Sequence, residues 1–479
     1  MLPEQQFANA INRRAFINRS GLSLGSAALS SLIGNSASAK QPIQTGYSGL
    51  PGLPHLAAKA KRVIFLCMAG GPSHLETFDY KPKLDELNGQ AMPPSFTNGQ
   101  PIAQLQGKEL KVQGHLTKFQ RYGKSGQLIS DFLPWTAKLA DDICIVRSMV
   151  TEQINHDPAH TFMNTGTILS GRPSMGSWIN YGLGSESENL PGFVVLTSVG
   201  GRNPQPIASR QWAAGFLPSR FQGVEFNSAG DPVHYVSTPK GVSPTQQRQL
   251  VDTIQQLDRH RNAHVGNPEI DTRIAAYEMA FRMQTSVPEL VDVSDEPQSV
   301  LDLYGATPGD GSYASNCLLA RRLAERGTRF IQLYHRGWDH HGGLQKYMGI
   351  CSGLTDRPTW ALLTDLKQRG MLDDTLVVWG GEFGRTPMFQ GKDGAGRDHH
   401  IKGFSMWMAG GGIKPGISHG ATDELGYNAV DQVVHVRDLH ATMLHLLGID
   451  HTRFSVQFQG LDSKLTGVEE SHVVRDILA

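Results

Sequence analysis

The sequence predicts an α/β fold with a mostly parallel sheet, and two patterns predict it. Short, continuous apolar runs recur along the chain, as expected of strands that are covered on both faces. Helix-like segments separate several of these runs, and this alternation is typical of parallel strands joined by crossover helices. The chain has 479 residues, of which 39% are hydrophobic. That is enough for one large domain or two smaller ones.

The predicted elements follow one another from residue 62 onward. The first strand is RVIFLCM at 62–68, and further strands are predicted at 143–147, 193–197, 329–334, 375–379 and 404–408. Helices are predicted at 313–326, 360–369 and 438–447, the last with Asp438 as its N-cap and Gly448 just beyond its end. Residues 200–298 differ, because a Pro/Gly/Asn-rich stretch leads into polar helical segments at 244–261 and 268–284. We interpret this region as an insertion or cap beside the sheet.

The first 39 residues are predicted to be a twin-arginine signal peptide. Arg13 and Arg14 precede Phe16, a weakly apolar stretch covers 21–33, and Ala-Ser-Ala at 37–39 is typical of a cleavage site. The apolar stretch is too short to span a bilayer. We therefore expect a protein exported to the periplasm without a transmembrane segment in its mature form, with a spacer at 40–60 and the folded domain at 61–479.

Charge and cysteine content exclude some functions. Lys+Arg and Asp+Glu number 44 each, so the formal net charge is zero. Nucleic acids and anionic membranes attract basic proteins, so neither is an expected partner. The four cysteines are scattered without a C-x-x-C pair, and we expect no catalytic cysteine.

Side chains that bind metal ions follow nearly every predicted strand. Ligands of parallel α/β sheets bind outside the carboxyl ends of the strands, so we expect these side chains to converge there. The candidate metal ligands are His74, Asp79, His156, Asp339, His340, His341, Glu382, Asp398, His399 and His400. Imidazole and carboxylate without thiolate fit zinc, manganese or iron better than calcium. One or two divalent ions are expected, since a pair could clamp both oxygens of an ester displacement.

Several candidates have a second interpretation. His74 could be a hydrogen-bonded loop residue, and Asp79 could cap a turn before proline. Glu382 ends a buried strand and needs a charged partner, which is either Arg385 or a cation. Arg172 and Arg385 are bidentate donors that suit sulfate or phosphate, or they are members of structural ion pairs.

Five motifs carry a family resemblance, namely GGPSH at 70–74, FDYKP at 78–82, SGRPSMGSW at 170–178, WDHH at 338–341 and GEFGRTP at 381–387. With them the chain resembles, over about residues 60–479, an exported bacterial family catalogued as domain of unknown function 1501. The closing segments 410–416 and 438–449 resemble those of sulfatases, within the alkaline phosphatase superfamily. The resemblance implies a three-layer αβα sandwich and a metal-dependent hydrolase of sulfate or phosphate esters. Its implied substrate is a sulfated or phosphorylated small molecule or glycan, polysaccharides included.

The chain departs from this superfamily at two places. The metal-binding Asp after the first strand is replaced by Ala69 or Gly70, and the position of the hydroxyl nucleophile holds His156. An imidazole there could act as nucleophile, ligand or general acid/base, with His160 and Arg385 as further catalytic candidates. Two other functions stay open. One is a non-catalytic metal-binding or glycan-binding protein on the same fold, and the other is a transferase acting on the cell envelope.

Overall fold

The computed structural model describes residues 47–201, 204–234, 241–391 and 395–479. The predicted signal peptide and the start of the spacer therefore lie outside the described residues. Within the described ranges, none of the helices combines the length and the apolar character needed to cross a membrane.

The strands of the described residues are β1 (Arg62–Ala69), β2 (Phe119–Tyr122), β3 (Gln127–Ser130), β4 (Cys144–Val150), β5 (Phe193–Thr197), β6 (Val224–Phe226), β7 (Phe330–Arg336), β8 (Thr375–Gly380), β9 (Gly384–Arg385), β10 (His399–His400), β11 (Phe404–Ala409), β12 (Ile417–His419), β13 (Ala421–Thr422), β14 (Ala429–Asp431), β15 (Val434–His435), β16 (Val456–Phe458) and β17 (Leu461–Ser463). The α-helices are α1 (Pro82–Glu86), α2 (Pro94–Thr97), α3 (His156–Thr165), α4 (Met175–Leu183), α5 (Pro244–Val265), α6 (Pro268–Val291), α7 (Gln298–Tyr304), α8 (Tyr313–Glu325), α9 (Leu344–Gln368) and α10 (Val436–Leu446).

One sheet of nine strands organises the molecule, in the order β12-β4-β11-β8-β1-β7-β5-β6, with β15 also paired to β4. Every pairing in it is parallel except those of β11, which runs antiparallel to both β4 and β8. The predicted mostly parallel sheet is confirmed. Because β11 runs against its neighbours, it begins at the edge where they end.

Strand β1 shows how the sequence builds three layers. Its side chains alternate between the two faces of the sheet, as in any strand. Ile64 and Leu66 enter the core on one face, which α7, α8 and α9 cover, while Val63 and Phe65 enter the core on the other, under α3, α4 and α10. Since both faces are buried, the strand needs apolar residues at every position. The predicted αβα sandwich is confirmed.

The predicted element boundaries hold for the strands and less well for the helices. No predicted strand end is more than three residues from the observed one. Helix α9 begins 16 residues before its predicted start at 360 and contains Pro358 in its interior. The prediction of Asp438 as the N-cap of α10 is wrong. The cap is His435, and Asp438 accepts a hydrogen bond from its backbone N–H at 2.9 Å, as a capping box does.

The region 200–298 contributes both to the sheet and to its surroundings. Strand β6 extends the sheet beside β5, and α5 and α6 form a helical hairpin joined by the ion pair of Arg248 and Glu278 at 2.9 Å. Val287 and Leu290 of α6 are fully buried in the core on the α8 face.

Candidate metal centre

Four residues meet at the carboxyl edge of the sheet. His156 begins α3, Asp339 and His341 follow β7, and His399 lies in β10, just before β11. One nitrogen or oxygen atom from each lies within 4.8 Å of those from the others. They come together because β7 ends at this edge and the reversed strand β11 begins there.

Each of the three histidines uses its Nδ1 atom to bind an acceptor outside the centre. The pairs are His156 Nδ1 with Glu382 Oε1 at 2.6 Å, His341 Nδ1 with Gln390 Oε1 at 2.6 Å, and His399 Nδ1 with the Ile154 carbonyl at 2.8 Å. Carboxylate and carbonyl oxygens only accept hydrogen bonds, so each Nδ1 carries the hydrogen. In the neutral ring the lone pair is then on Nε2, and all three Nε2 atoms face the centre.

The nitrogen and oxygen atoms inside the centre lie close enough together to share one cation. His341 Nε2 and His399 Nε2 lie 2.9 Å apart. Asp339 Oδ1 lies 2.9 Å from His341 Nε2, 3.3 Å from His399 Nε2 and 3.2 Å from His156 Nε2. The buried His156 Nε2 has no hydrogen-bond partner. Three imidazole nitrogens and a carboxylate oxygen around one point are a donor set that zinc and similar ions bind, so these residues fit a divalent metal.

Glu382 supports His156 from behind. Its carboxylate is fully buried and accepts the backbone N–H groups of Gly70, at 3.1 and 3.2 Å, and of Gly71, at 3.2 Å. Burial raises the pKa of Glu382, but His160 and His156 outweigh burial and lower it to about 2. The group is therefore ionised at neutral pH and orients the His156 ring. Carboxylate–histidine pairs of this kind commonly fix metal-binding imidazoles.

The glycine pair after β1 is required by its surroundings. Gly70 has a φ of +122°, and a Cβ atom there would lie 2.5 Å from the Asp339 nitrogen. The backbone N–H groups of this pair donate to Glu382, so the close approach of the two segments also fixes that carboxylate.

His160 lies one helical turn after His156 and completes a second group with Glu382. Its Nε2 lies 3.4 Å from Glu382 Oε1, the ring is fully buried, and neither ring nitrogen has a hydrogen-bond partner. Burial lowers the pKa of His160. These three residues are also close enough to hold a cation, although His156 Nδ1 is already bonded to Glu382.

Arg385 positions Asp339 instead of facing solvent. The side chain is buried, and its Nη2 lies 2.7 Å from Asp339 Oδ1. Its other N–H groups donate to the carbonyls of Gly70, Gly71 and Arg397. The donors of the guanidinium are thus engaged by the protein, which leaves little for a bound anion.

The electrostatics of the centre favour an ionised Asp339 and a neutral His399, whereas they favour a proton on His156 that a metal ion would displace. Burial raises the pKa of Asp339, but His156, His341, His399 and Arg385 hold it well below its ordinary value. Burial lowers the pKa of His399 to about 4. Burial also lowers the pKa of His156, but the carboxylates of Asp339 and Glu382 raise it above the ordinary value. A carboxylate and neutral imidazoles are the forms that bind metal ions.

The other histidines proposed as ligands point elsewhere. His340 Nε2 lies 3.8 Å from the sulfur of Cys351, and His74 Nε2 lies 2.8 Å from the Gly426 carbonyl. His400 binds the Tyr427 carbonyl through Nε2. Adjacent residues of a strand face opposite ways, so His399 and His400 of β10 cannot both reach the centre.

The remaining predicted acids are engaged in other contacts. Asp79 accepts a hydrogen bond from Thr422 and pairs with Lys81 at 3.2 Å. Asp398 accepts the backbone N–H groups of Gln104 and Leu105 at 2.6 and 2.9 Å. Neither carboxylate lies in the centre.

Arg172 lies away from the centre. Some groups that support the centre were not predicted from the sequence. Arg172 binds Ser463 Oγ at 3.1 Å and lies over two phenylalanine rings. The acceptors Gln390 and the Ile154 carbonyl were not predicted, nor were the N–H groups of Gly70 and Gly71. The residue type does not show which partner a backbone group binds. A single glutamine in a loop likewise does not indicate that it will support a histidine.

A family model matches residues 60–478 of the chain and is described as a protein of unknown function, DUF1501. The chain belongs to this family. Among curated proteins, none matches.

Solved structures resemble the chain at low identity. Ps i-CgsB, solved in complex with k-i-k-neocarrahexaose, is 13% identical over 81% of this chain and 72% of that chain, with a TM-score of 0.34. The PsFucS1 sulfatase from Pseudoalteromonas sp. is 12% identical over 81% and 68%, with a TM-score of 0.33. The lipoteichoic acid synthase LtaP from Listeria monocytogenes is 12% identical over 88% and 79%, also with a TM-score of 0.33. Similarity of this degree supports no inference about substrate or mechanism.

Proposed function

We propose that the chain is a metal-dependent hydrolase of sulfate or phosphate esters that holds one divalent ion between His156, Asp339, His341 and His399. The observation that carries the proposal is the convergence of three Nε2 atoms on Asp339 Oδ1. The donor set favours zinc, manganese or iron. When bound, such an ion polarises an ester oxygen and offsets the charge that develops on it.

The exposure of the centre supports access by a ligand. The side chains of His341, Asp339 and His156 are 23%, 15% and 14% exposed, whereas Glu382 behind them is 0% exposed. An ester can therefore approach from the His341 side, while the supporting carboxylate stays shielded from water. The restriction to sulfate or phosphate esters rests on the sulfatase-like segments at 410–416 and 438–449.

The residues that form and support the centre each have a proposed task. Glu382 holds the Nδ1 hydrogen of His156 and keeps its Nε2 lone pair directed at the centre, which makes His156 a ligand and not the nucleophile. Arg385 and its partner carbonyls fix the Asp339 carboxylate. Water then attacks the sulfur or phosphorus atom of the ester, the bond from that atom to the alcohol oxygen breaks, and a proton of the water ends on the alcohol as sulfate or phosphate is released. The twin-arginine pattern makes the periplasm the proposed location.

The test combines metal analysis with turnover. Protein purified after native export should contain about one zinc, manganese or iron ion per chain, and adding the metal to chelated protein should raise its melting temperature, because a ligand of the folded state stabilises it. Aryl sulfates, phosphate monoesters and phosphate diesters form the substrate panel. Absence of metal would contradict the centre. Bound metal without turnover on the whole panel would contradict the hydrolase and favour a metal-binding protein.

A further inference from the structure

A separate cavity of about 200 Å³ lies at the far end of α3. Thr165 and Gly166 at the end of this helix line it, while His156 at the start belongs to the metal centre. The helix has ten residues, so its two ends are about 14 Å apart at 1.5 Å per residue. The cavity is therefore distinct from the centre.

Arg172 is the central polar group of this cavity. Its guanidinium lies 5.6 Å from the ring centres of both Phe216 and Phe458, and these two rings stack on each other at 4.4 Å. Its Nη1 donates to Ser463 Oγ at 3.1 Å. Stacking on aromatic faces holds a guanidinium in place while its edge stays available to donate.

Arg172 has no acidic partner within the part of the chain that the structure describes. Among the described residues no carboxylate forms an ion pair with it, although Asp462 and Glu469 also line the cavity. Nor does Lys464, a third basic residue in the wall beside Arg437, form an ion pair with any described residue. Arg437 is paired with Glu152. Within the described ranges only Nη1 of the Arg172 guanidinium is engaged, by Ser463, so its remaining N–H groups can donate to an anionic ligand.

Three exposed apolar side chains lie at the rim of the same cavity, beside the exposed Asp462 and Glu469. Leu169, Leu461 and Val468 line it and are 58%, 66% and 95% exposed. A ligand that covers them must have a nonpolar face as well as a negative group, which a small inorganic anion lacks. A sugar ring that carries a sulfate or phosphate group has both features.

We propose that this cavity binds one anionic saccharide unit, with Arg172 as the ligand of its sulfate or phosphate group. Sites for drug-sized molecules measure roughly 300–1,000 Å³, so a cavity of this size matches a single sugar ring. The site needs neither the metal nor hydrolysis, and it goes beyond the proposed function.

The proposal is tested by calorimetric titration of the full-length protein in chelator, with glucose 6-sulfate, glucose and inorganic sulfate as separate probes. Glucose 6-sulfate should bind at least about tenfold more tightly than either of the others, because only it engages both the guanidinium and the apolar rim. Removing metal keeps the result independent of the proposed hydrolase. Absence of sugar binding would not contradict the metal centre. Absence of metal or of turnover would not contradict the sugar site.

Variants locate the binding. Arg172→Gln should weaken glucose 6-sulfate binding at least about tenfold. Arg220→Gln should leave it unchanged, because Arg220 also stacks on aromatic rings, 4.7 Å from that of Tyr47, but does not line the cavity. Val468→Glu adds an opposing charge at an exposed rim position and should weaken binding even if Arg172→Gln fails to fold. Three results would each overturn the proposal. The protein would not bind glucose 6-sulfate, the Arg172→Gln and Val468→Glu variants would bind it as tightly as the wild type, or inorganic sulfate would bind as tightly as the sugar sulfate.

Discussion

At the scale of single residues, two acid-His-His runs are informative, namely 339–341 and 398–400. In each run the two histidines have different contacts. In the first run His341 faces the centre and His340 faces Cys351. In the second, His399 faces the centre and His400 binds the Tyr427 carbonyl. The same tripeptide therefore supplies its second histidine in one case and its first histidine in the other. Residue type alone cannot decide between them, because the choice depends on the direction of the backbone.

The division predicts opposite results for neighbouring substitutions. His399→Ala should weaken zinc affinity by more than about 100-fold, since even supporting partners of a ligand are worth 10- to 100-fold. His400→Ala should leave zinc affinity within a few-fold of wild type but should lower stability by about 1–3 kcal/mol, because the buried Tyr427 carbonyl loses its donor. Competition with a chromophoric chelator measures the first effect and denaturant unfolding the second. Equal losses of zinc affinity in the two variants would contradict the assignment.

Glu382 should behave as a supporting residue and not as a ligand. Glu382→Gln keeps an oxygen that can accept from His156 Nδ1 but removes the negative charge. We expect zinc affinity to fall 10- to 100-fold with about one ion still bound at saturation. Asp339→Asn is the matched comparison, since it removes a proposed ligand, and it should cost more. A Glu382→Gln protein that binds zinc like wild type, or binds none at all, would contradict this role.

How much of the site could be predicted depends on which interactions the residues make. The accumulation of His, Asp and Glu after apolar runs predicted where ligands would gather, and His156, Asp339, His341 and His399 do lie together. The sequence could not exclude His74 and Asp398, because their partners are backbone groups of distant segments. Arg172 shows the converse problem. Its chemistry suits anions, but its place in the fold is set by tertiary packing.

At the scale of elements, the segment between β1 and the short helical turn at 74–76 joins the sheet to the centre. Gly70 donates to Glu382, and Arg385 binds the carbonyls of Gly70 and Gly71. The backbone here packs against the Asp339 backbone so closely that a side chain has no room. Residues on three loops are thus tied together through one pair of glycines.

This contact predicts the cost of a single added methyl group. Gly70→Ala should destabilise the protein by about 3 kcal/mol or more, because strain at a positive φ is joined by a backbone clash. Gly89→Ala is the control, since Gly89 has a φ of +78° but no atom within 4 Å of the added Cβ. The control should cost only about 1–2 kcal/mol. Unfolding in denaturant measures both, and zinc affinity should fall only in the Gly70 variant. Similar costs in the two variants would show that the close approach does not matter.

At the scale of the whole molecule, the fold was more predictable than the site because it follows from burial. Strands covered on both faces must be apolar throughout, and β1, β5 and β8 are the runs that the sequence marked most clearly. The reversal of β11 could not be predicted, since an apolar run does not specify direction. The N-terminal turns of α9, before residue 360, were not predicted for a related reason. Its first turns are only partly buried, and Pro358 interrupts the sequence pattern without ending the helix.

The buried histidines also determine how the whole molecule responds to acid. Burial lowers the pKa of both His335 and His440 to about 4, and neither residue belongs to the metal centre. His440 donates through Nε2 to the Met163 carbonyl at 2.8 Å, and His335 binds Ser198 Oγ through Nδ1 at 2.7 Å. Both rings are therefore neutral in the folded protein until the pH nears 4, whereas in the unfolded chain they take up protons near pH 6.5.

Between these two pH values the unfolded state binds more protons, so stability falls as the pH is lowered from about 6.5 toward 4. Each histidine should remove about 3 kcal/mol over this range, at about 1.4 kcal/mol per pH unit. Denaturant unfolding of the metal-free protein at pH 7, 5.5 and 4.5 measures the slope. His440→Gln retains a donor for the Met163 carbonyl but cannot titrate, so its slope should be smaller by about one proton. His260→Gln, at an exposed position of α5, should keep the wild-type slope. The same slope in all three proteins would mean that protonation of His440 does not limit stability in acid, and that the acid sensitivity arises from other buried groups.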